Sequence, residues 1–340
     1  MLKKLLLLLT MLFLLSVGAT FYAHQQLLSY AQSPLQHVEP LIIKVNRGQT
    51  AQQIRRLIPA EQTPLSDIYF KIWLRLNPDI AQVKTGYYEF PVGVSIADIF
   101  SRISRAEETQ FSVSLVEGLT MREWYAQVSQ LDSLEQDLPP LDELYASVVN
   151  SESSFCQNSS ESLEGCLLAD TYFYVFNDSA LSLFKRAYQA MDKTLDTLWS
   201  QRFLDIPIKT PYESLILASI IEKETAVASE RGVIAGVFSN RLELNMRLQT
   251  DPTVIYGIGP DFDGNITRAH LRERTAYNTY RINGLPPTPI AMAGNASLLA
   301  ALQPAITEYI YFVAKGDGSH QFSVTLAEHN QAVATYQLNR

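Results

Sequence analysis

Three kinds of hydrophobic patterning divide the chain. The first is an unbroken apolar block. Positions 5–23 are 19 residues without a charge, preceded by Lys3 and Lys4. That is near the shortest helix that crosses a bilayer, and flanking lysines stay on the cytoplasmic side. The expectation is an uncleaved N-terminal anchor (1–23) with the remainder translocated. A cleaved signal peptide is the other reading, with Val17-Gly18-Ala19 offering small residues. Positions 24–40 are polar, carry Pro34 and Pro40, and read as a linker.

The second pattern is a short apolar strand, a glycine turn and a capped helix, repeated. Strand 41–45 is followed by Gly48-Gln49-Thr50, and Thr50 with Gln53 has capping-box spacing. Strand 111–116 is followed by Gly118-Leu119-Thr120, with Glu123 in the matching place. Gly93-Val94-Ser95 with Asp98 is a shorter version. Such units predict α+β architecture. A second helix over 65–76, ended by Asn77-Pro78, precedes Gly86-Tyr87-Tyr88 and Pro91. The order strand, Gly-x-Thr, helix, helix, Asn-Pro, Gly-x-Tyr and Pro resembles a LysM domain, so 41–110 is expected as a LysM-like subdomain. LysM modules bind N-acetylglucosamine-containing glycans.

The third pattern has a helical period. Phe184, Ala187, Met191, Leu195 and Leu198 mark a helix over 181–201. An apolar helix from Pro211 ends in Glu222 and Glu224. At about 100° per residue these two point to nearly opposite faces. Glu224 continues the stripe of Leu217, Ile220 and Ile221, whereas Glu222 follows Leu215, Ala218 and Ser219. A carboxyl on an apolar stripe is desolvated, which raises its pKa and suits a general acid. The plain alternative is that Glu224 ends a surface helix. Further helices are expected over 141–149, 230–242 (with Ser229 as N-cap), 295–303 and 328–338. Strands are expected over 309–314 and 321–324. Gln249-Thr250-Asp251-Pro252 reads as a turn and 253–256 as a strand or short helix.

Composition then narrows the chemistry. The 340 residues are 47% hydrophobic and 18% charged, as in a globular chain. The net charge is −8, and without Lys3 and Lys4 it becomes −10, which argues against nucleic acid as the main partner. Residues 130–165 are acidic and Ser/Asn-rich, with Glu135, Asp137, Asp142, Glu143, Glu152, Glu161 and Glu164. Cys156 and Cys166 either close a small loop or remain as two thiols. The five histidines (24, 37, 270, 320, 329) form no metal-ligand motif. There is no Gly-x-Ser-x-Gly, phosphate loop or dinucleotide fingerprint. Carboxylates, amides and tyrosines remain, which suit acid catalysis on a neutral, hydroxyl-rich polymer.

Several runs carry a resemblance: Ala218-Ser219-Ile220-Ile221-Glu222-Lys223-Glu224-Thr225; Asn240-Arg241-Leu242; the stretch from Met246 through Gln249-Thr250-Asp251-Pro252-Thr253; Tyr277-Asn278-Thr279-Tyr280; and Gly284-Leu285-Pro286-Pro287. With Tyr311-Phe312-Val313, Phe322 and His329-Asn330 they closely resemble the MltG (YceG-like) endolytic murein transglycosylases. One departure is Leu168-Ala169-Asp170, where the family usually has Pro before Asp. The resemblance implies a catalytic domain over 111–340. It implies cleavage of the MurNAc–GlcNAc β-1,4 bond of peptidoglycan without water, leaving a 1,6-anhydro end and terminating glycan strands. One carboxyl then serves as acid and base, and no cofactor or metal is needed. Glu224-Thr225-Ala226 is similar to the Glu-Ser-Ala of other lytic transglycosylases, which favours Glu224, with Glu222 the alternative.

Expected substrate contacts are Gln249, Thr250 and Asp251 along the groove, with an Asx-type turn as the alternative for Asp251. Tyr256, Tyr277 and Tyr280 stack on sugars or pack in the core. Asn278 orients Glu224 or an acetamido group. Arg241 and Arg247 meet peptide-stem carboxylates or pair with Glu230 and Glu243. His320 and His329 are read as turn or surface residues. Expected partners are peptidoglycan strands, the inner membrane through 5–23 and peptidoglycan synthases (penicillin-binding proteins), with the catalytic domain in the periplasm. Two other functions stay open: a non-catalytic cell-wall scaffold and a hydrolytic muramidase.

Overall fold

The computed structural model describes residues 2–58, 67–149, 155–156 and 160–338. It divides into two compact units. One comprises 1–111 with 174–176, the other 112–173 with 177–340. The fold is mixed α+β.

In the first unit the apolar block forms α1 (Leu2–Gln32). The helix does not stop at residue 23. It continues through 24–32, where polarity had indicated a linker, because Leu27, Tyr30 and Ala31 bury one face in the unit's core. Strands β1 (Leu41–Val45) and β2 (Gly86–Phe90) pair antiparallel, from Leu41 opposite Phe90 to Val45 opposite Gly86. Between them lie α2 (Ala51–Arg55) and α3 (Asp67–Leu76), and α4 (Ile96–Ser104) follows. The predicted start of α3 at 65 lies outside the described residues. The Thr50/Gln53 and Ser95/Asp98 capping boxes are both formed. Ile43, Ile54, Phe70, Tyr88, Phe90, Ile99 and Phe100 fill the core.

The chain continues through β3 (Gln110–Leu115), α5 (Met121–Ser129), α6 (Leu144–Val148) and β4 (Asp170–Val175), with β3 paired to β4. Strand β4 was not expected. Its sequence, Asp-Thr-Tyr-Phe-Tyr-Val, alternates exposed and buried side chains from Thr171 onward. In the acidic stretch, 150–154 (including Glu152) and 157–159 lie outside the described residues. Cys156 and Cys166 are joined in a disulfide, with Cα atoms 5.9 Å apart.

Five helices follow: α7 (Ala180–Ser200), α8 (Pro211–Glu224), α9 (Ala228–Glu243), α10 (Asp251–Ile258) and α11 (Arg268–Arg272). Residues 253–256 are thus helix, not strand. The Asp251-Pro252 pair that read as a turn opens α10, since proline suits the first helical turn. The N-cap of α9 is Val227, not Ser229, and its side chain caps nothing. Helix α12 (Asn295–Leu302), the antiparallel pair β5 (Tyr311–Ala314) and β6 (His320–Ser323), and α13 (Leu326–Val333) complete the unit.

Helix α8 is the pivot of the second unit. Thr210 and Glu213 cap its start reciprocally and Pro211 occupies its first turn. All eight residues from Ser214 to Ile221 are buried, enclosed by α7, α9, α10 and α12. The polar groups inside are satisfied. Ser219 Oγ donates to the Ile216 carbonyl and accepts from Ile290 N. A helix buried all round is rigid, and only its C-terminal end leaves the core.

Candidate active site

At that end the chain passes from buried Ile221 to half-buried Glu222, exposed Lys223, half-buried Glu224 and buried Thr225. Glu222 and Lys223 are tied to neighbouring loops. Glu222 Oε2 accepts from Gly294 N at 3.0 Å, and Gly294 caps α12. Lys223 Nζ donates to the Gly118 carbonyl at 3.1 Å. The 117–119 and 292–294 loops are joined as well, by Gly118 N to Met292 O and Met292 N to Leu119 O, both 2.8 Å. Glu222 thus anchors backbone.

Glu224 is different. Its carboxylate accepts from one side chain, the Thr250 hydroxyl. Burial pushes its pKa up. The Thr250 hydrogen bond opposes that rise, Asp251 reinforces it, and His320 and Arg241 counter it. The group is poised to hold a proton at a pH where ordinary carboxyls have lost theirs.

The support beneath Glu224 is built from hydroxyls. Thr250 N donates to Thr279 Oγ1 at 3.0 Å, and Thr253 Oγ1 lies 2.8 Å from Thr250 O and 2.9 Å from Thr279 Oγ1. All three threonines are buried. Buried Arg241 fixes the incoming loop. It donates to the carbonyls of Leu248 (2.7 Å), Arg247 (3.3 Å) and Ile310 (2.6 Å). Gln249 follows with φ +51, a left-handed conformation strained for a residue with a Cβ, and its side chain is exposed.

The predicted site residues therefore separate. Glu224, Thr250, Gln249 and Asp251 come together, with Tyr280 donating its phenol to Asp251 Oδ1 at 2.7 Å. Thr250 faces Glu224 rather than an open groove. Asn278 is buried and both its amide hydrogens are used. It donates to the His270 and Glu273 carbonyls and accepts from Tyr280 N, so it secures the 270–280 turn and does not orient Glu224. Tyr256 contacts the Tyr277 ring at 5.0 Å and donates to Glu164 Oε2 at 3.2 Å. Arg247 donates to Tyr280 O and Asn283 Oδ1, so neither arginine takes Glu230 or Glu243 as partner.

Two features were missed by sequence reasoning. Glu230 pairs with His320. The imidazole lies 2.7 Å from Oε2, and His320 N donates to Oε1 at 3.0 Å. Burial disfavours the Glu230 charge, but the His320 hydrogen bonds more than offset that, and its carboxyl sits below its usual range. His320 is therefore no plain turn residue, and half-buried His329 stacks on Tyr311 with ring centroids 5.1 Å apart.

The second feature is Glu164, which read only as part of an acidic loop yet is 4% exposed. Its carboxylate accepts from Met121 N at 3.0 and 3.2 Å and from the Tyr256 hydroxyl. Burial pushes its pKa up to about 8, against those hydrogen bonds. The available signal was its setting, between Leu163 and the Cys166-Leu167-Leu168 run. Neighbouring Gly165, at φ +73, is needed because a Cβ there would overlap Pro289. Among the described residues, no group of three or more His, Cys, Asp and Glu side chains gathers in a metal-binding cluster.

Comparison with known proteins gives one direction. The chain is 31% identical over 326 residues to the endolytic murein transglycosylase of Bacillus subtilis, covering 90% of this chain and 89% of that one. It is 23% identical to the protein of that name from Streptococcus pneumoniae, over 95% of this chain but 63% of the longer relative. The crystal structure of a putative yceG-like protein from Listeria monocytogenes superposes with a TM-score of 0.55 at 29% identity, covering 86% of this chain and 98% of that one. A family model described as the YceG-like family matches residues 43–335. On this match and the Bacillus relative, the chain belongs to the YceG-like family.

Proposed function

We propose that the protein is an endolytic murein transglycosylase in which Glu224 alone is acid and base. The observation that carries this reading is the environment of Glu224: a half-buried carboxyl with raised proton affinity, at the end of a rigid helix, held by a threonine hydroxyl. Protonated Glu224 gives its proton to the glycosidic oxygen as the MurNAc C1–O bond breaks. The MurNAc O6 then bonds to C1, and its proton passes to the Glu224 carboxylate. One carboxyl is regenerated per turnover and no water is consumed, whereas retaining and inverting hydrolysis use two carboxyls.

Intact glycan strands digested with the protein should yield 1,6-anhydroMurNAc ends by mass spectrometry. Reducing MurNAc ends would make it a muramidase, and no new ends would make it a scaffold.

Helix α1 supports a single-pass anchor. Lys3–Gln32 is long and apolar enough to cross a membrane, and Leu5 to Tyr22 expose their apolar side chains. With Lys3 and Lys4 cytoplasmic, both folded units lie in the periplasm on the outer side of the inner membrane, close to peptidoglycan synthases as partners. The antiparallel β1–β2 pair enclosing α2 and α3 supports a LysM-like relationship for the first unit.

Gln249 is the substrate contact with the clearest physical signature, since a strained backbone beside a catalytic group is retained for what its side chain does. Gln249→Gly relieves the left-handed strain and should hold or raise stability, by up to about 1 kcal/mol. The same change should lower kcat/KM about tenfold or more, the scale of losing one polar contact to substrate. Thermal melts and turnover on purified strands check the two signs, and Gln249→Ala, which keeps the strain, should lose turnover without the gain in stability.

A further inference from the structure

A second depression opens beside the proposed catalytic centre, within the same unit. It is a cleft of about 610 Å³ whose lining includes Arg122, Asp142, Tyr145, Glu161, Glu164 and Tyr256. Helix α10 connects it to Glu224. Thr250, the N-cap, touches Glu224, and Tyr256 stands six residues further on, roughly 9 Å along the axis. A substrate seated on Glu224 therefore has the cleft less than two helical turns away along α10.

The charges of the cleft are unusual for a saccharide site. Arg122, Asp142 and Glu161 are all exposed, and none is within ion-pair distance of an opposite charge among the described residues. Arg122 sits in the first turn of α5, where the helix field is unfavourable to a cation. Glu161 is held at φ +46, a left-handed conformation in a residue with a Cβ. The wall that carries it is closed by the Cys156–Cys166 disulfide and pinned at Glu164 by Met121 N and Tyr256. The cleft is thus a braced depression with one cation and two anions left uncompensated. That pattern is complementary to a short peptide bearing both carboxylates and an ammonium group, and not to a neutral sugar.

We propose that this cleft is a subsite for the peptide stem attached to the MurNAc lactyl group, with Arg122 receiving a stem carboxylate and Asp142 and Glu161 the stem ammonium. The assignment rests on the transglycosylase reading and extends it. It makes the protein selective for peptide-bearing strands over stripped glycan.

Two substrates and one ligand test it: uncrosslinked peptide-bearing strands, the same strands freed of peptide by an amidase, and the free stem tetrapeptide containing a diamino acid. The intact protein should prefer peptide-bearing strands by about tenfold in kcat/KM, the scale of one charge-assisted hydrogen bond. It should bind the tetrapeptide saturably by calorimetry. In Arg122→Gln and in Asp142→Asn/Glu161→Gln the preference should fall to about one and the tetrapeptide binding should disappear. These are exposed positions, and unchanged thermal melts confirm that the variants fold. Equal cleavage of both substrates by the intact protein, or no tetrapeptide binding, overturns the subsite and leaves the transglycosylase reading standing. Tetrapeptide binding that depends on Arg122, without cleavage of either strand, keeps the peptide site and overturns the transglycosylase reading.

Discussion

Glu224→Gln should lower kcat by roughly 10²–10⁴-fold, the usual contribution of a positioned proton donor and acceptor, with KM little changed. The amide is the same size and its oxygen still accepts from Thr250, so the loss isolates the proton. In the proposed mechanism one group serves both half-reactions, so no second carboxyl is left to sustain a slow hydrolytic route. Glu222→Gln is the decisive companion. Its amide oxygen can still accept from Gly294 N, so turnover should stay near that of the unaltered protein. Should Glu222→Gln alone abolish anhydro-product release, the assignment to Glu224 is wrong. The pH profile gives a second handle. In the proposed mechanism activity needs Glu224 protonated, and its pKa is raised above the ordinary value of 4.5. The alkaline limb of kcat/KM should therefore lie above that value, and turnover should fall as pH rises through it. Thr250→Val removes the hydrogen bond that favours the charged form, so it should move that limb to higher pH. A limb that moves down, or not at all, would separate Thr250 from the catalytic proton.

The sequence points to Glu224 by helical phase, and the structure replaces that reason with another. Helical phase set it on an apolar stripe, but α8 has no stripe: every side chain from Ser214 to Ile221 is buried. Phase on a helix buried all round cannot rank two carboxyls at its end. Their partners rank them, a backbone N–H from Gly294 for one and a threonine hydroxyl for the other, and both partners arrive from far along the chain. Features that depend on residues three apart were readable. The capping boxes at Thr50, Ser95 and Thr120 are all formed. Features set by irregular loops or by distant chain were not. Asn278 looked like a site amide until its three bonds proved to be spent within its own turn. Polarity misled at 24–32, where burying Leu27, Tyr30 and Ala31 outweighs the polar residues between them. Glu164 was hidden because the 130–165 stretch reads as acidic and polar taken as a whole, while its neighbours in space are the start of α5 and Tyr256.

Glu164 carries the second large effect, on stability. Its carboxyl has a pKa near 4.5 when exposed and about 8 when folded. The folded state thus holds the proton more tightly than the unfolded state. Below about pH 4.5 both states are protonated and the full contribution is present. As pH rises from there toward 8, the unfolded chain ionises first and stability declines. Above 8 the folded protein carries a buried charge and the loss levels off. At about 1.4 kcal/mol per pK unit, the whole decline amounts to about 5 kcal/mol. Glu164→Gln removes the titration while keeping the contacts, since its amide can accept from Met121 N and donate to the Tyr256 oxygen. The variant should match the unaltered protein near pH 4.5 and exceed it at pH 8 by roughly 10 °C in Tm, at 2–4 °C per kcal/mol for a domain of this size. Melting curves recorded from pH 4.5 to 9 on both proteins decide it. Parallel curves would mean that Glu164 ionises at its ordinary value, and that water reaches the carboxyl behind Tyr256. A gap that opens on the acid side instead would mean that the hydrogen bonds from Met121 and Tyr256 outweigh burial. In that case the carboxylate would be the stable form, and Gln the costlier fit.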